Sequence, residues 1–552
     1  MTRSFVLSLL LLALSFAHPI EFTTTISGPG LLAQEWLEAP AEAADYQQGG
    51  TLYEPLMEFV YELESRSELM NVVKLTETLG GRDVVLCVLS NPPVFQPADL
   101  AYSDKPVVLI VNNVHGGEVA GKDAAMEIMR DLVMGDLRPL LDEVVVLVVP
   151  TINPDGAEVR RRTNDEGFDM NRDYLKLESQ EIQALVTKVL YQWRPDIHVD
   201  THHGGSTPYV LTFQTNMNPA GDANLVRMGN EEIIPRIRQA LRAEDYDGFW
   251  YSGPRSLPGG EVGWSPTSVE PRKQHVYSTL ANIVGFLFET PSGSHRVVDN
   301  GTRVVPVPDE ERYRHQVRGE YIGQRELIRY AAENARELRA AVAQARVDAI
   351  ARGNDDTDND QFPIAYEQVE KFREQFWYRE GGRGAPADAE FELVEGPILT
   401  EWTPTETVTR PWGYLMPNSL AKVVPLLLQH DISVIELTEP LEVEVEAWYA
   451  TSITQDEYFQ GHYLVEVDAR TRTETVTMPA GSFFIPSGQA SSNLISYLLE
   501  PVTNDNLVTW GYLNHLVRIT PSAEEMAEQR AQLEARIREM SPEDREQYGA
   551  RL

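Results

Sequence analysis

Cysteine is almost absent from this chain of 552 residues, in which Cys87 is the only one. A single thiol can form no intramolecular disulfide and no thiolate metal cluster, so a bound metal would have to use histidine and carboxylate ligands. Cys87 itself lies in the apolar run DVVLCVLS, where we expect a small buried hydrophobic residue rather than a nucleophile.

Positive charge is also scarce. The sequence has 47 Lys and Arg residues against 84 Asp and Glu residues, which gives a formal net charge of −37. Binding to a nucleic-acid backbone requires clustered basic side chains that offset the phosphates. We therefore expect no nucleic-acid partner and a solvated acidic surface.

Long hydrophobic runs are missing except at the N-terminus. There the sequence MTRSFVLSLLLLALSFAHP places Arg3 before a largely apolar run, and a small-residue pattern ends at Ala17. The run is shorter than the ~18–20 residues that span a bilayer, which favours a signal peptide over residues 1–17 and makes a retained anchor the alternative. We expect a secreted or periplasmic protein without a stable membrane span after removal of this segment.

The first half of the chain alternates helical patterns with apolar strands. The runs DVVLCVLS, VVLIVNNV, VVVLVVP and VGFLFET have the length of buried strands, and DAAMEIMRDLV and IQALVTKVLYQW have helical periodicity. Continuous apolar strands between helices are typical of an α/β fold in which helices cover both faces of the sheet. Short polar strings follow the strands, and in such folds they meet at one edge of the sheet.

The second half has a different texture. The stretch from Asp309 to about Arg352 predicts one long helix, and GNDDTDND after it reads as an acidic linker. Short alternating runs separated by Pro and Gly then predict a smaller β-rich domain. The predicted divisions are a signal peptide at 1–17, a catalytic domain at 18–352, a linker at 353–361, a β-rich accessory domain at 362–520 and a charged helical tail at 521–552.

Two candidate metal ligands, His115 and Glu118, follow the strand VVLIVNNV directly. Gly116 and Gly117 between them allow backbone conformations that turn both side chains toward one point. Two ligands three residues apart on a turn can chelate one ion, but H-x-x-E recurs often by chance in long chains. The pair therefore needs support from elsewhere in the sequence.

The segment DIHVDTHHGG supplies histidines at the end of another apolar strand. Alternation along the strand, which should end near Thr201, points His198 and His202 to one side and His203 to the other. His202 is the preferred third ligand, His203 is the alternative, and His198 fits a structural strand histidine. Two His and one Glu with a fourth position left for water form the pattern of catalytic zinc sites.

Further motifs follow in a fixed order. N-P-D-G begins at Asn153, R-x-N-(x)4-D-x-N-R runs from Arg162 to Arg172, D-x-H comes next, and the strand VGFLFET carries Glu289 near its end. Together with H-x-x-E, these motifs resemble those of the carboxypeptidase A/B-type zinc metallopeptidases over roughly residues 54–300. The resemblance implies an α/β/α sandwich with a central mixed sheet, and the C-terminal extension is similar to that of larger exported bacterial relatives.

The resemblance assigns roles around the metal. By it, His115, Glu118 and His202 bind one Zn²⁺ per chain, and Asp169 is the carboxylate that orients His115. Glu289 is expected to act as general base toward the attacking water and then as proton donor to the leaving amine. A solvent-facing glutamate at a strand end is the alternative for Glu289.

The resemblance also assigns substrate contacts. Asn171 and Arg172 resemble the pair that clamps the free C-terminal carboxylate of the substrate, a task for which planar guanidinium geometry is suited. Arg162 resembles the arginine that polarises the scissile carbonyl and stabilises its oxyanion. Arg82 matches an arginine used farther along the substrate groove, with an ordinary surface arginine as the alternative.

One departure from the family pattern concerns the pocket for the substrate side chain. The digestive members carry a mobile tyrosine well upstream of the catalytic glutamate. Here the corresponding region reads WSPTSVEPRKQHVY, with no tyrosine before Tyr277. Tyr277 and Arg272 are therefore the expected substrate-binding residues of this pocket.

The sequence as a whole predicts an exported zinc-dependent metallocarboxypeptidase that acts on peptides or proteins with a free C-terminal carboxylate. The first alternative is a related zinc amidohydrolase acting on an acylated amino acid or a cell-wall stem peptide, which need not keep Arg162, Asn171 and Arg172 together. The second is an inactive module that binds peptides or glycans, and loss of a metal ligand or of Glu289 would have indicated it.

Overall fold

A computed structural model describes residues 36–514 except 44–48, 267, 356, 358–359 and 382–388, together with residues 527, 530, 531, 534, 535, 537 and 538 of the tail. The predicted signal peptide and most of the predicted helical tail lie outside the described residues. The described residues from 38 onward form one compact unit that contains every element named below. The proposed domain boundaries stay a prediction.

The centre of the molecule is a mixed sheet of eight strands in the order β1-β2-β4-β3-β5-β10-β6-β7. Strands β4, β3, β5 and β10 are parallel neighbours, and β1, β2 and β6 join antiparallel. The strands are β1 Met70–Glu77, β2 Asp83–Leu89, β3 Val107–Asn112, β4 Val145–Val149, β5 Ile197–His203, β6 Leu211–Thr215, β7 Gly248–Trp250 and β10 Val284–Thr290. The predicted α/β fold with a central mixed sheet is confirmed.

Helices cover this sheet. They are α1 Tyr53–Arg66, α2 Ala120–Val133, α3 Pro154–Glu158, α4 Gln180–Ala184, α5 Tyr191–Trp193, α6 Ala223–Arg227, α7 Ile234–Ala243, α8 Gln274–Leu280, α9 Arg312–Glu333, α10 Ala335–Gly353, α11 Val424–Gln429 and α12 Ser492–Leu499, with π-helical turns at Leu185–Leu190 and Met228–Ile233. Within β5, Thr201 packs against Gly121 of α2, whereas His198 bonds to Ser278 of α8. Because alternate strand residues face opposite sides, α2 and α8 lie on opposite faces of the sheet.

The apolar strands are buried as their sequences predict. Every residue of β3, β4 and β10 is buried, because these strands are covered on both faces. None of the helices in the described part of the chain combines the length and the apolar character that a bilayer span requires.

The long helix predicted from Asp309 to Arg352 is two helices, so that prediction was wrong in its continuity. Helix α9 ends at Glu333 and α10 begins at Ala335, and Asn334 between them has φ −117° and ψ 27°. The Asn334 side chain donates a hydrogen bond to the carbonyl of Tyr330. Short polar side chains can bond to the backbone in this way and so compete with continuation of the helix.

The C-terminal region is built from small sheets and one long hairpin. Four short strands precede it: β8 Pro254–Ser256 and β9 Val262–Trp264, which join one of its sheets, and β11 His295–Val298 and β12 Arg303–Pro306, which pair with each other. The strands of the region itself are β13 Gln361–Val369, β14 Phe372–Tyr378, β15 Glu392–Ile398, β16 Glu401–Thr409, β17 Gly413–Met416, β18 Ile435–Glu436, β19 Leu441–Phe459, β20 His462–Met478 and β21 Phe483–Pro486. Strand β9 pairs with β15, and β19 pairs with β20. Leu427, Ile485 and Leu494 belong to the same apolar core as Leu109 and Leu147 of the central sheet.

Candidate active site

Three parallel neighbours, β3, β5 and β10, deliver the principal polar side chains at one edge of the sheet. His115 and Glu118 follow β3, and His202 and Glu289 lie near the ends of β5 and β10. Glu289 pairs directly with His202 in the parallel register. The carboxyl ends of parallel strands lie at one edge, which is why residues distant in sequence meet there.

Three side chains form a group with metal-ligand geometry. The Nδ1 atoms of His115 and His202 each lie 2.8 Å from Oε2 of Glu118, and 3.0 Å separates the two Nδ1 atoms. Two imidazole nitrogens and a carboxylate oxygen that converge so closely repel one another unless a cation or a shared proton lies between them. The donor set fits a zinc ion with three protein ligands and a fourth position left open.

A buried carboxylate supports each histidine of this group. Nε2 of His115 lies 3.0 Å from Oδ1 of Asp169, and Nε2 of His202 lies 2.9 Å from Oδ2 of Asp200. Each carboxylate favours a proton on Nε2, which leaves the Nδ1 lone pair free for a metal. Burial opposes the charge of Asp169, but the hydrogen bond with His115 and the nearby charges of His115, Arg172 and Arg162 together outweigh it and lower the pKa of that carboxyl.

Glu289 is the second carboxylate at the sheet edge and is only 8% exposed. Burial raises its pKa to about 7. A Cβ at Gly204 would collide with the Glu289 carboxylate, so glycine is needed there for close approach of the backbone. The structure thus places Glu289 beside the metal-ligand group rather than in open solvent.

The predicted substrate residues Arg162, Asn171 and Arg172 border the same cavity, of about 170 Å³. Arg162 is half-exposed, and its Nε bonds to Oδ2 of Asp169 at 2.9 Å. Oδ1 of Asn171 accepts a hydrogen bond from the backbone N–H of Gln274 at 3.0 Å, and Nη1 of Arg172 donates to the Asn171 carbonyl at 2.6 Å.

Sequence reasoning did not identify several other residues that line this cavity. They are Gly204, Tyr251, Ser268, Lys273, His275 and Leu287, and His203, considered above only as an alternative ligand, lines the cavity as well. His203 and Leu287 come from β5 and β10, His275 from α8 and the others from loops, and no local motif marks the six that were not identified. Asp200 was also overlooked, although its D-x-H spacing to His202 was visible in the sequence.

Two alternatives for the third ligand occupy other positions. His203 accepts a hydrogen bond at Nε2 from the backbone N–H of Ala120, at 2.8 Å. His198 is buried, and its Nδ1 contacts Oγ of Ser278 at 2.9 Å. The structure brings His202, and neither of these, into the convergent ligand group.

The assignment of Tyr277 to the side-chain pocket was wrong. Tyr277 is fully buried in α8, and its hydroxyl lies 2.6 Å from that of Tyr191 and 2.7 Å from Nδ1 of His430. The residue points into the core because α8 turns it away from the cavity. Its contacts make it a structural link between α8 and the C-terminal region.

The structure also does not place Arg272 or Arg82 in the cavity wall. Nε of Arg272 pairs with Asp505 at 3.1 Å, and its guanidinium lies over the ring of Trp510 at 4.9 Å. Nη1 of Arg82 donates to Oδ1 of Asp155 at 2.7 Å. Arg272 was therefore wrongly assigned to the pocket, and the ion pair of Arg82 fits the structural alternative.

Comparison with known proteins gives three findings. Residues 56–209 match the family model described as zinc carboxypeptidase. Carboxypeptidase 2 of Trichophyton rubrum is 25% identical over 434 residues, covering 74% of each chain, and Carboxypeptidase 2 of Trichophyton equinum is 24% identical over 429 residues, again covering 74% of each. A metallo-carboxypeptidase structure from Pseudomonas aeruginosa is 19% identical with a TM-score of 0.39, covering 52% of this chain and 70% of that one.

The family match confirms the resemblance that the motifs indicated. It covers the segment that contains His115, Glu118 and His202. Zinc as the cofactor is confirmed with it, because the matched model is described as zinc carboxypeptidase and a His-Glu-His group is present, whereas the individual ligand roles stay predictions.

Proposed function

We propose that this chain, a relative of the zinc carboxypeptidases, is a zinc-dependent metallocarboxypeptidase that hydrolyses the C-terminal peptide bond of peptides or proteins. One observation carries the proposal. His115 and Glu118 of the convergent ligand group, Glu289, Asn171 and Arg172 all border one small cavity. His202 completes the ligand group, with its Nδ1 2.8 Å from Oε2 of Glu118. Bond cleavage and recognition of a chain end are thereby possible at a single place.

The proposed metal site would polarise the scissile carbonyl. Zinc held by His115, Glu118 and His202 supplies Lewis acidity at the bond to be cleaved. Asp169 and Asp200 hold the protons at Nε2 of the two histidines, which keeps both rings oriented with Nδ1 inward.

Glu289 is the proposed acid–base residue. Its carboxylate accepts a proton from the attacking water and then donates it to the nitrogen of the leaving amine. Burial raises the pKa of this carboxyl to about 7, so the group can both accept and release a proton near neutral pH. Gly204 leaves the space in which the carboxylate can approach both partners.

Three polar side chains are proposed to bind the substrate. Arg162 would donate hydrogen bonds to the oxyanion that forms on the scissile carbonyl, from a half-exposed guanidinium whose Nε is held by Asp169. Asn171 and Arg172 would hold the terminal carboxylate of the substrate. Asn171 is preorganised for this role, since the backbone of Gln274 holds its amide oxygen.

We also propose that the protein is exported. The apolar segment MTRSFVLSLLLLALSFAHP supports this, because it has the charge, length and small-residue end of a signal peptide. N-terminal sequencing of the mature protein should find residue 18 as the first residue. A mature chain that begins at Met1 would contradict the proposal.

A comparison of peptide ends tests the proposed activity. A peptide with a free C-terminus, the same peptide amidated and an N-acyl amino acid are incubated with the enzyme, and products are identified by mass spectrometry. We expect the free peptide to lose its last residue and the amidated peptide to react at least ~10-fold more slowly, since the Arg172 guanidinium then loses its charged partner. Equal rates, or preference for the acyl amino acid, would favour the amidohydrolase.

A further inference from the structure

The wall of the cavity next to Arg172 is polar. Lys273, which immediately precedes α8, lines it together with Ser268 and His275, whereas Leu287 is the one aliphatic side chain in the described lining. The backbone N–H of Gln274, the residue after Lys273, holds the amide of Asn171. Lys273 is thus adjacent in the chain to the residue that anchors the proposed carboxylate clamp.

The ammonium group of Lys273 has capacity for another ligand. Nζ donates to Oγ of Ser268 at 2.7 Å and to Oε2 of Glu270 at 2.8 Å. An ammonium group has three N–H donors, and no third acceptor contacts Nζ among the described residues. The side chain is 15% exposed, so bulk water cannot fully replace the missing partner.

The charge of Lys273 is only partly compensated. Burial lowers the pKa of this ammonium, Glu270 opposes the effect, and the nearby cation Arg172 adds to it. Glu270 is the carboxylate that contacts Lys273 directly. The two carboxylates of the cavity lining, Glu118 and Glu289, belong to the proposed metal and acid–base chemistry. An additional anion next to Nζ would stabilise the buried charge.

His275 supplies a second unused polar atom in the same wall. The residue is 1% exposed, and its Nδ1 has no hydrogen-bond partner in the described part of the protein. Its Nε2 lies 3.3 Å from Nε2 of Gln214, a side-chain amide that can donate to it. In that arrangement Nδ1 carries the proton, and the ring contributes to the polar character of the wall.

We propose that the cavity accepts an acidic terminal side chain, and that Lys273 is the residue that determines this specificity. The inference rests on the proposed carboxypeptidase function. When Asn171 and Arg172 hold the terminal carboxylate of the substrate, the side chain of that substrate residue branches from the neighbouring Cα and reaches the adjacent wall. An aspartate or glutamate there meets the ammonium of Lys273.

Four peptides that differ only in the last residue test this inference. They end in Glu, Gln, Leu or Lys, and kcat/KM is measured for each with the zinc-loaded full-length enzyme. We expect Glu to exceed its uncharged isostere Gln by at least ~10-fold and Lys to be the poorest. If no peptide is cut, the proposed function fails. If peptides are cut but Gln, Leu or Lys equals or exceeds Glu, the function stands and the specificity inference is overturned.

Substitution of Lys273 tests the residue itself. Lys273→Met should lower kcat/KM for the Glu peptide at least ~10-fold more than kcat/KM for the Gln peptide. Lys273→Arg should retain the preference for Glu. Lys422→Met, which removes an exposed lysine of the C-terminal region, is the matched control and should behave as the unmodified enzyme. An undiminished Glu preference in Lys273→Met would overturn the role of Lys273.

Discussion

At the scale of single residues, the site depends on carboxylates that do not touch the substrate. Asp169 and Asp200 each accept a hydrogen bond from Nε2 of a histidine in the ligand group. Such partners fix the orientation of the ring and make the coordinating nitrogen more basic. Both are buried, so solvent cannot take over their role.

Removal of either charge should weaken metal binding. Asp169→Asn and Asp200→Asn should each lower zinc affinity about 10–100-fold, because a neutral amide polarises the imidazole less than a carboxylate does. Competition with a chromophoric chelator measures the affinity. Asp165→Asn, which removes a more exposed carboxylate paired with Arg161, is the control and should leave affinity unchanged. Wild-type affinity in both buried variants would contradict this role.

The proposed roles of Glu289 and of the metal ligands can be separated by one substitution. Glu289→Gln should reduce kcat about 10²–10⁴-fold, because the amide cannot accept the proton of the attacking water. The zinc content, measured by atomic emission, should stay at one per chain, since Glu289 is not in the ligand group. Loss of zinc from this variant, or full activity of the variant, would contradict the role assigned to Glu289.

Tyr277 should prove structural. Tyr277→Phe removes the hydroxyl that contacts the Tyr191 hydroxyl and Nδ1 of His430, and should lower the free energy of unfolding by about 1–3 kcal/mol. Urea denaturation measures that loss, and steady-state kinetics should give an unchanged KM. An altered KM with unchanged stability would restore Tyr277 to the substrate pocket.

The sequence predicted the residues that sit in motifs and missed those that do not. His115, Glu118 and His202 could be located because they lie at the ends of strands β3 and β5, and Asp169 because it belongs to the R-x-N-(x)4-D-x-N-R run. Lys273 and the other wall residues reach the cavity through loop paths and helix orientation. Those features depend on tertiary packing, so local sequence carries no signal for them.

At the scale of elements, the hairpin of β19 and β20 reaches the candidate site. Near its turn, Oε1 of Gln460 accepts a hydrogen bond from the backbone N–H of Asp169 at 2.8 Å. The adjacent His462 pairs with Glu178 at 2.8 Å through Nε2. The C-terminal region therefore braces the backbone of the carboxylate that supports His115.

Loss of this brace should affect catalysis more than folding. Gln460→Ala should lower kcat/KM about 3–10-fold. The substitution leaves the backbone N–H of Asp169 without its partner, at a cost of about 1 kcal/mol, so that Asp169 is held less firmly. Thermal denaturation should shift little. Thr475→Ala, an exposed change on the same hairpin away from its turn, is the control. If the two variants have equal kinetics, the brace has no functional role.

Element boundaries show where sequence patterns are insufficient. Strands β3, β4 and β10 were predicted closely because they are uniform apolar runs. Strand β1, MNVVKLTE, was missed because it is partly exposed at the sheet edge and mixes polar with apolar residues. The break at Asn334 was missed because residues on both sides favour helix, and only the backbone conformation reveals the interruption.

At the scale of the whole molecule, the formal charge is strongly negative, whereas three basic side chains border the candidate site together with Glu118 and Glu289. The chain has a formal net charge of −37, yet Arg162, Arg172 and Lys273 border the candidate site. At physiological ionic strength charges on the surface are screened over about 8 Å. An acidic chain end that has entered the cavity is therefore governed by these nearby cations rather than by the distant surface.

The whole account is tested most directly by following one peptide with a free glutamate at its C-terminus through metal removal and return. Mass spectrometry of the products should show loss of a single terminal residue, no loss after exhaustive chelation, and recovery when one equivalent of zinc is added. Internal cleavage, or an unchanged rate in the metal-free enzyme, would contradict the assignment of a zinc-dependent carboxypeptidase site at His115, Glu118 and His202.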